Sequence, residues 1–266
     1  MGDTDQMREL LVIGIGPGDP DQITVQAVQA LNRVDVFFRF DKGDAKPGLN
    51  EVRDEILRRH VRRPGYRVVD IPEPPRDRSA SLTSAGYQGT VQDWYEARAE
   101  LVEKALAAEL GANEVGACLV WGDPSLYDST LRIIDRVLAR GAVTFDYTVI
   151  PGVTSVQALA AAYRIPLNRV GEPVHITPAR RIVDGLPEGM DSAVVMVDRG
   201  FTAAELDDPA LMVYWGAYLS MPDEVLISGP LHEVADEIAQ RRAQLRARHG
   251  WIMDTYLLRR ERTASG

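Results

Sequence analysis

The sequence predicts an α/β fold: an N-terminal domain built on a parallel sheet, followed by a smaller C-terminal α+β domain. Three stretches carry that expectation. The first is Leu10-Leu11-Val12-Ile13-Gly14-Ile15-Gly16-Pro17-Gly18-Asp19-Pro20, four apolar residues running into three glycines spaced by single residues. The second is Ala117-Cys118-Leu119-Val120, which breaks into Trp121-Gly122-Asp123-Pro124. The third is Tyr147-Thr148-Val149-Ile150, which breaks into Pro151-Gly152-Val153-Thr154-Ser155. Continuous apolar runs of this length suit strands buried on both faces of a parallel sheet. Glycine at a strand exit permits positive φ or close backbone approach. Loops at the carboxyl ends of parallel strands are where open α/β sheets bind ligands, and three such exits would line up on one sheet edge.

The remaining elements follow in order. Residues 1–9 are a polar lead-in. Thr24 to Asn32 has apolar residues at helical spacing, and Val34-Asp35-Val36-Phe37-Phe38 reads as a second strand ending at Arg39-Phe40-Asp41-Lys42-Gly43. A strand, helix, strand unit implies a right-handed crossover, which puts Asp41 and Lys42 on the same edge as the glycine loop. They are either ordinary turn residues or a polar pair facing a cleft. Asn50 to His60 reads as an amphipathic helix. Arg58, Arg59, Arg62, Arg63 and Arg67 form the densest basic stretch, either a solvated helix end or a patch for a polycarboxylate. Val68 to Ile71 is a short strand. The prolines of Pro72-Glu73-Pro74-Pro75 forbid helix or central strand and predict an exposed loop to about Gly89, either an inert insertion or a lid.

Trp94 to Leu110 reads as a helix stopped by Gly111. A helix from Ser129 to Ala139, a Gly141 stop and a strand from Thr144 to Ile150 complete the first half. The domain boundary is placed at Pro151-Gly152, giving domains 1–151 and 152–266. The second half holds an alanine-rich helix 155–163, strands Ser192–Val197, Leu211–Trp215 and Glu224–Ser228, a helix Glu233–Arg248 and a last strand Trp251–Leu258.

Composition excludes several classes. A chain of 266 residues has room for two domains, and 45% apolar with 26% charged residues is ordinary for a globular protein. No uninterrupted apolar run reaches the roughly 18–20 residues of a membrane helix. The acidic Met1-Gly2-Asp3-Thr4-Asp5 has no apolar core and shows no secretory signal. The lone Cys118 cannot form an internal disulfide, which fits a reducing cytoplasm, and its apolar neighbours make it a buried structural thiol. A net charge of −9 argues against a nucleic-acid partner. There is no CxxC or HExxH, and His60, His175, His232 and His249 are scattered, so no metal site is expected.

The first glycine loop by itself fits no common motif closely. As a dinucleotide fingerprint it has Asp19 and Pro20 where a small residue is needed, and Pro17 removes an N–H from any phosphate cradle. A nicotinamide-dependent oxidoreductase would use Asp41 near the end of strand two, but leaves the two later motifs unexplained. As the first motif of the common Rossmann-type methyltransferases it has Val12 where an acid is usual. A tight turn without a ligand is the remaining option.

Taken together, GxGPGD after strand one, Gly122-Asp123-Pro124, and PGVTS followed by Ala-x-Ala-Ala and Ile165-Pro166-Leu167 resemble the tetrapyrrole (cobalamin-precorrin and sirohaem) methyltransferases. Order and spacing match from residue 10 to about 167, and more weakly to about 231. Within the family, Gly14 to Asp21, Asp35-Val36-Phe37-Phe38 ending in Asp41-Lys42-Gly43, and Tyr214-Trp215-Gly216-Ala217-Tyr218 are most similar to the deacetylating branch that methylates precorrin-5 at C1.

The resemblance implies S-adenosyl-L-methionine bound bent in a cleft between the two domains, largely through backbone groups, and S-adenosyl-L-homocysteine as product. Carried over position by position, the contacts are Pro17, Trp121, Gly122, Asp123, Leu126, Thr154, Ser155, Val197 and Gly216. Two of these depart from the family: glycine often stands where this chain has Trp121, and methionine where it has Val197. The family places an acid near the end of strand two that handles substrate protons, making Asp41 and Lys42 the candidate catalytic pair. The resemblance also implies a small-molecule tetrapyrrole substrate and a homodimer. Alternatives are a sibling acting at another precorrin position, a diphthine synthase-like enzyme, and a ligand-binding relative that has lost activity.

Overall fold

The structure is a computed structural model that describes residues 7–41, 47–74 and 84–261. The chain divides into two units: Met1–Gly16 with Pro20–Val153, and Thr154–Gly266 with Pro17–Asp19.

The first unit runs β1 (Arg8–Gly14), α1 (Val25–Leu31), β2 (Val36–Asp41), α2 (Pro47–His60), β3 (Arg67–Pro72), α3 (Ser84–Glu109), β4 (Val115–Val120), α4 (Thr130–Arg140) and β5 (Phe145–Ile150). The strands form one parallel sheet in the order β3-β2-β4-β1-β5. β1 lies between β4 and β5, with Leu11 opposite both Ala117 and Thr148. Its side chains alternate between faces. Leu10 and Val12 join a cluster with Val102, Leu106, Ile133 and Val137 of α3 and α4. Leu11 and Ile13 join Ala27, Leu31, Ile56 and Leu57 of α1 and α2. All four are fully buried, which is why the run is apolar without interruption; each such side chain contributes about 1.5–3 kcal/mol. Local signals set the helix ends: Thr24 Oγ1 accepts from Ala27 N at 3.1 Å to open α1, and Gly141 takes φ +72° to close α4.

Sequence and structure differ at the proline-rich segment. Residues 75–83 lie outside the described residues, and α3 begins at Ser84, so the stretch expected to be loop to about Gly89 is helix from Ser84 on. Gly86 and Gly89 each weaken a helix by about 1 kcal/mol, which hides this turn from propensity. The buried Ala99, Val102 and Leu106 anchor the same helix further along.

The second unit runs α5 (Ser155–Tyr163), β6 (His175–Pro178), β7 (Ser192–Met196), β8 (Leu211–Ala217), β9 (Val225–Pro230), α6 (Leu231–His249) and β10 (Asp254–Arg260). Its sheet has the order β6-β7-β10-β8-β9; β6 and β7 are parallel and the other pairs antiparallel. The core holds Val194, Val195, Trp215, Tyr256, Leu257 and Leu258. β6 was not expected, because only Thr177 of its four residues is buried and no apolar run marks it. Val197, expected inside the strand, falls just outside it with φ +56°. The last strand starts at Asp254, three residues later than expected.

Candidate functional site

The three motif-bearing strand exits are neighbours, because β4, β1 and β5 are consecutive in the sheet. The glycines are required by one another. A Cβ on Gly14 would lie 2.6 Å from Gly152 N and 2.9 Å from Gly122 O, and a Cβ on Gly152 would overlap Gly122 O. Backbone bonds tie two of the exits: Ile15 N donates to Val120 O at 2.9 Å and Gly122 N to Gly16 O at 2.8 Å. Gly122 sits at φ +67°, a conformation glycine adopts without strain.

Asp123 fastens the exits of β4 and β5 together. Its Oδ2 accepts from Gly152 N at 2.8 Å, and its Oδ1 accepts from Ser125 N at 2.8 Å and Ser125 Oγ at 2.5 Å. Burial works against the charged carboxylate, but the bonds from Ser125 and Gly152 outweigh it and hold the carboxyl below its ordinary range. Both oxygens therefore accept from the protein, and Asp123 ties its own turn to Gly152. Leu126 N closes the turn on Asp123 O at 3.3 Å, and Trp121 is half-buried beside Gly122.

Four more of the expected contacts gather at one edge of the second sheet. Thr154 caps α5 through a capping box, its Oγ1 accepting from Val156 N at 3.1 Å while its N–H donates to Gln157 Oε1 at 3.2 Å. Ser155 Oγ lies 2.9 Å from Thr255 Oγ1, and Thr255 pairs across the ladder with Gly216. A Cβ on Gly216 would lie 2.6 Å from the Leu219 side chain and 3.0 Å from that of Leu159, so a larger residue there would push both leucines aside. Val197 leaves β7 one residue beyond Met196 and is 61% exposed. Pro17 belongs to this unit: its neighbour Gly18 packs so closely on Leu219 and Met221 that no side chain fits. Thr255 and Tyr163, whose hydroxyl donates to Trp215 O at 2.6 Å, were not anticipated. They carry no motif; Thr255 is found through its register with Gly216 and Tyr163 through its hydrogen bond to Trp215.

The candidate catalytic pair is less defined. Asp41 ends β2 opposite Pro72, and Lys42 lies outside the described residues. One residue before Asp41, the Phe40 ring centre is 3.6 Å from the Arg98 guanidinium, which is 7% exposed and donates to Ser129 Oγ at 2.9 Å. Burial pushes the Arg98 guanidinium down, against the pull of Glu73. The arginine-rich stretch is largely self-neutralised: Arg58 pairs with Glu55, Arg59 with Asp21 and Glu55, Arg63 with Asp35, and Arg67 with Glu114. This supports the solvated-surface reading over a polycarboxylate patch. Among the described residues no cluster of acids, histidines or cysteine could hold a metal, and no helix is long and apolar enough to cross a membrane.

Comparison with known proteins identifies the fold. Residues 9–235 match the family model described as tetrapyrrole (corrin/porphyrin) methylases. The chain is 50% identical over 254 residues, 96% of each chain, to a Sinorhizobium protein named precorrin-6A synthase [deacetylating]. A crystal structure of a cobalamin synthesis related protein (CobF) from Corynebacterium diphtheriae superimposes with a TM-score of 0.82 at 35% identity, covering 96% of this chain and 99% of that one. The uroporphyrin-III C-methyl transferase of Thermus thermophilus, solved with S-adenosyl homocysteine, shares the fold at 20% identity and a TM-score of 0.58, covering 94% of this chain and 96% of that one.

Proposed function

The chain belongs to the tetrapyrrole (corrin/porphyrin) methylases, and from that premise we propose that it transfers a methyl group from S-adenosylmethionine to C1 of precorrin-5 and releases acetate, giving precorrin-6A. The observation that carries this reading is the 50% identity, spanning 96% of both chains, to a protein named for that activity.

The residues present suit the cofactor. The strand exits offer backbone N–H and C=O groups in glycine-rich turns, where Gly14 and Gly152 leave no room for side chains and Gly122 takes φ +67°. S-adenosylmethionine supplies a methyl group already activated on a sulfonium, so the protein needs no nucleophile or metal for the transfer. Its task is orientation. Asp123 holds the β4 and β5 exits in fixed relation. Ser155 and Gly216 are linked through Thr255. Asp41 and Lys42 are the proposed acid/base pair: C1 alkylation and water attack on the acetyl carbonyl both move protons, and a positioned group near the end of β2 would speed both steps. The reading also takes the protein to be a homodimer in a reducing cytoplasm, the latter supported by its single cysteine.

The test is incubation of the purified protein with methyl-labelled S-adenosylmethionine and, separately, precorrin-5 and earlier precorrins, followed by mass spectrometry. The reading expects label in a deacetylated product from precorrin-5, with one acetate per methyl transferred. Label on an earlier precorrin but not on precorrin-5 would assign another position; no transfer to any precorrin would remove the reading.

A further inference from the structure

Val197 is an exposed β-branched residue with φ +56°. A valine in the left-handed region is strained and persists only where its surroundings hold it. The surroundings are unusually specific. Arg242 of α6 donates from Nη2 to Asp198 O at 2.7 Å and from Nη1 to Arg199 O at 3.1 Å, gripping the two residues after Val197 by their carbonyls. The Asp198 carboxylate accepts from Thr202 N, Thr202 Oγ1 and Tyr256 OH at 2.8–2.9 Å.

Arg242 is itself aimed by Asp254, with Nε to Oδ2 at 2.7 Å, and that oxygen also accepts from Trp215 Nε1 at 3.0 Å. The two side chains of this ion pair are only 8% and 4% exposed. An apolar pair of similar volume would often be as stable, so the pair is better understood through the geometry it imposes. Trp215 precedes Gly216, Asp254 precedes Thr255, and Asp198 follows Val197. One buried network thus runs behind two strand ends that carry candidate cofactor contacts, Val197 and Gly216, and behind Thr255, which meets Ser155.

We infer that Arg242 and Asp254 are positioning residues that hold Val197 in its strained conformation and so preorganise the Thr154–Ser155–Val197–Gly216 edge for the S-adenosyl ligand. The inference rests on the proposed function for its ligand, but its strain component is measured without one.

The experiment is a thermodynamic cycle on the full chain with Arg242→Lys, Val197→Gly and the double variant, read by thermal denaturation and by calorimetric titration with S-adenosylhomocysteine. Lysine keeps the charge but cannot fork between Asp254 and two carbonyls. Val197→Gly is expected to raise the melting temperature of the parent, because glycine accepts φ +56°. It is expected to leave Arg242→Lys unchanged, because there the turn has already relaxed. Arg242→Lys is expected to weaken S-adenosylhomocysteine binding about tenfold, the size of a coupling within one hydrogen-bonded network, and to raise KM for S-adenosylmethionine with kcat at saturation retained.

Equal stabilisation by Val197→Gly in both backgrounds would overturn the inference, as would unchanged ligand affinity in Arg242→Lys. Failure of the parent itself to bind would sink the functional reading, and its own titration tells the two failures apart. If Arg242→Lys does not fold, Tyr256→Phe, which removes only the hydroxyl held by Asp198, is the second variant and is expected to show the same coupling at smaller size.

Discussion

Replacing Gly14 by alanine tests whether the three strand exits are packed against one another. Its backbone is not left-handed, so the only penalty is steric. The new Cβ would meet Gly152 N at 2.6 Å, Gly122 O at 2.9 Å and Gly152 Cα at 2.9 Å. Optimal carbon contacts lie at about 3.5–4.0 Å, and all three neighbours are backbone atoms that no rotamer change can move. The β5 exit must therefore shift, and the shift stretches the 2.8 Å bond from Gly152 N to Asp123. Overpacking costs about 1–3 kcal/mol, and a hydrogen bond to a charged group is worth about 1.5–3 kcal/mol. One displacement causes both losses, so they overlap, and about 3 kcal/mol is expected. That is roughly a hundredfold in the folding equilibrium and a fall in melting temperature of about 6–12 °C for a chain of this size. Urea denaturation followed by circular dichroism measures it, with Gly200→Ala as control because no atom lies within 4 Å of its added Cβ. Gly14→Ala as stable as Gly200→Ala would refute the packing argument.

Other perturbations address single groups. Asp123→Asn keeps the shape but loses the charged acceptor. The folded carboxyl lies below its ordinary pKa, so its contribution is present above the unfolded value and lost as pH falls through the folded one. The variant should be less stable than the parent near neutrality and converge with it in acid, as measured by urea midpoints across pH. Glu114 is held at about 2 by the Arg67 guanidinium and the Gly111 N–H, so its contribution fades as pH falls from about 4.5 towards 2, and Glu114→Gln should flatten the acid limb of the same curve. Cys118 is half-buried and its surroundings push the thiol up to about 12, so it should react with a thiol reagent more slowly in the native protein than in urea; equal rates would contradict the raised pKa.

Much of this fold is legible in the sequence because the central strands of a parallel sheet must be apolar on both faces. β1, β4 and β5 announce themselves as unbroken runs, and glycine marks their exits. The structure adds the reason for the glycines: Gly14 and Gly152 are small because a Cβ on either would strike the other and Gly122 O, a constraint invisible at separations of 108 and 30 residues, while Gly122 itself takes φ +67°. β6 escapes notice because it buries one residue of four, and the first turns of α3 are masked by two glycines. The site divides in the same way. Residues in strand-exit motifs could be listed in advance. Thr255, Arg242 and Asp254 could not, because they act through register and burial and carry no local pattern. Asp123 is an intermediate case: the motif singles it out, but only the structure shows its carboxylate bound to Gly152 and Ser125.

The claim on which the rest depends is use of S-adenosylmethionine. It is tested most directly by calorimetric titration of the purified protein with S-adenosylhomocysteine and, in parallel, with NADH, using the parent and Gly122→Arg. Arginine at φ +67° strains the β4 exit, where glycine does not. The account predicts saturable binding of S-adenosylhomocysteine to the parent, its loss in Gly122→Arg, and no binding of NADH. Binding of NADH alone would contradict it.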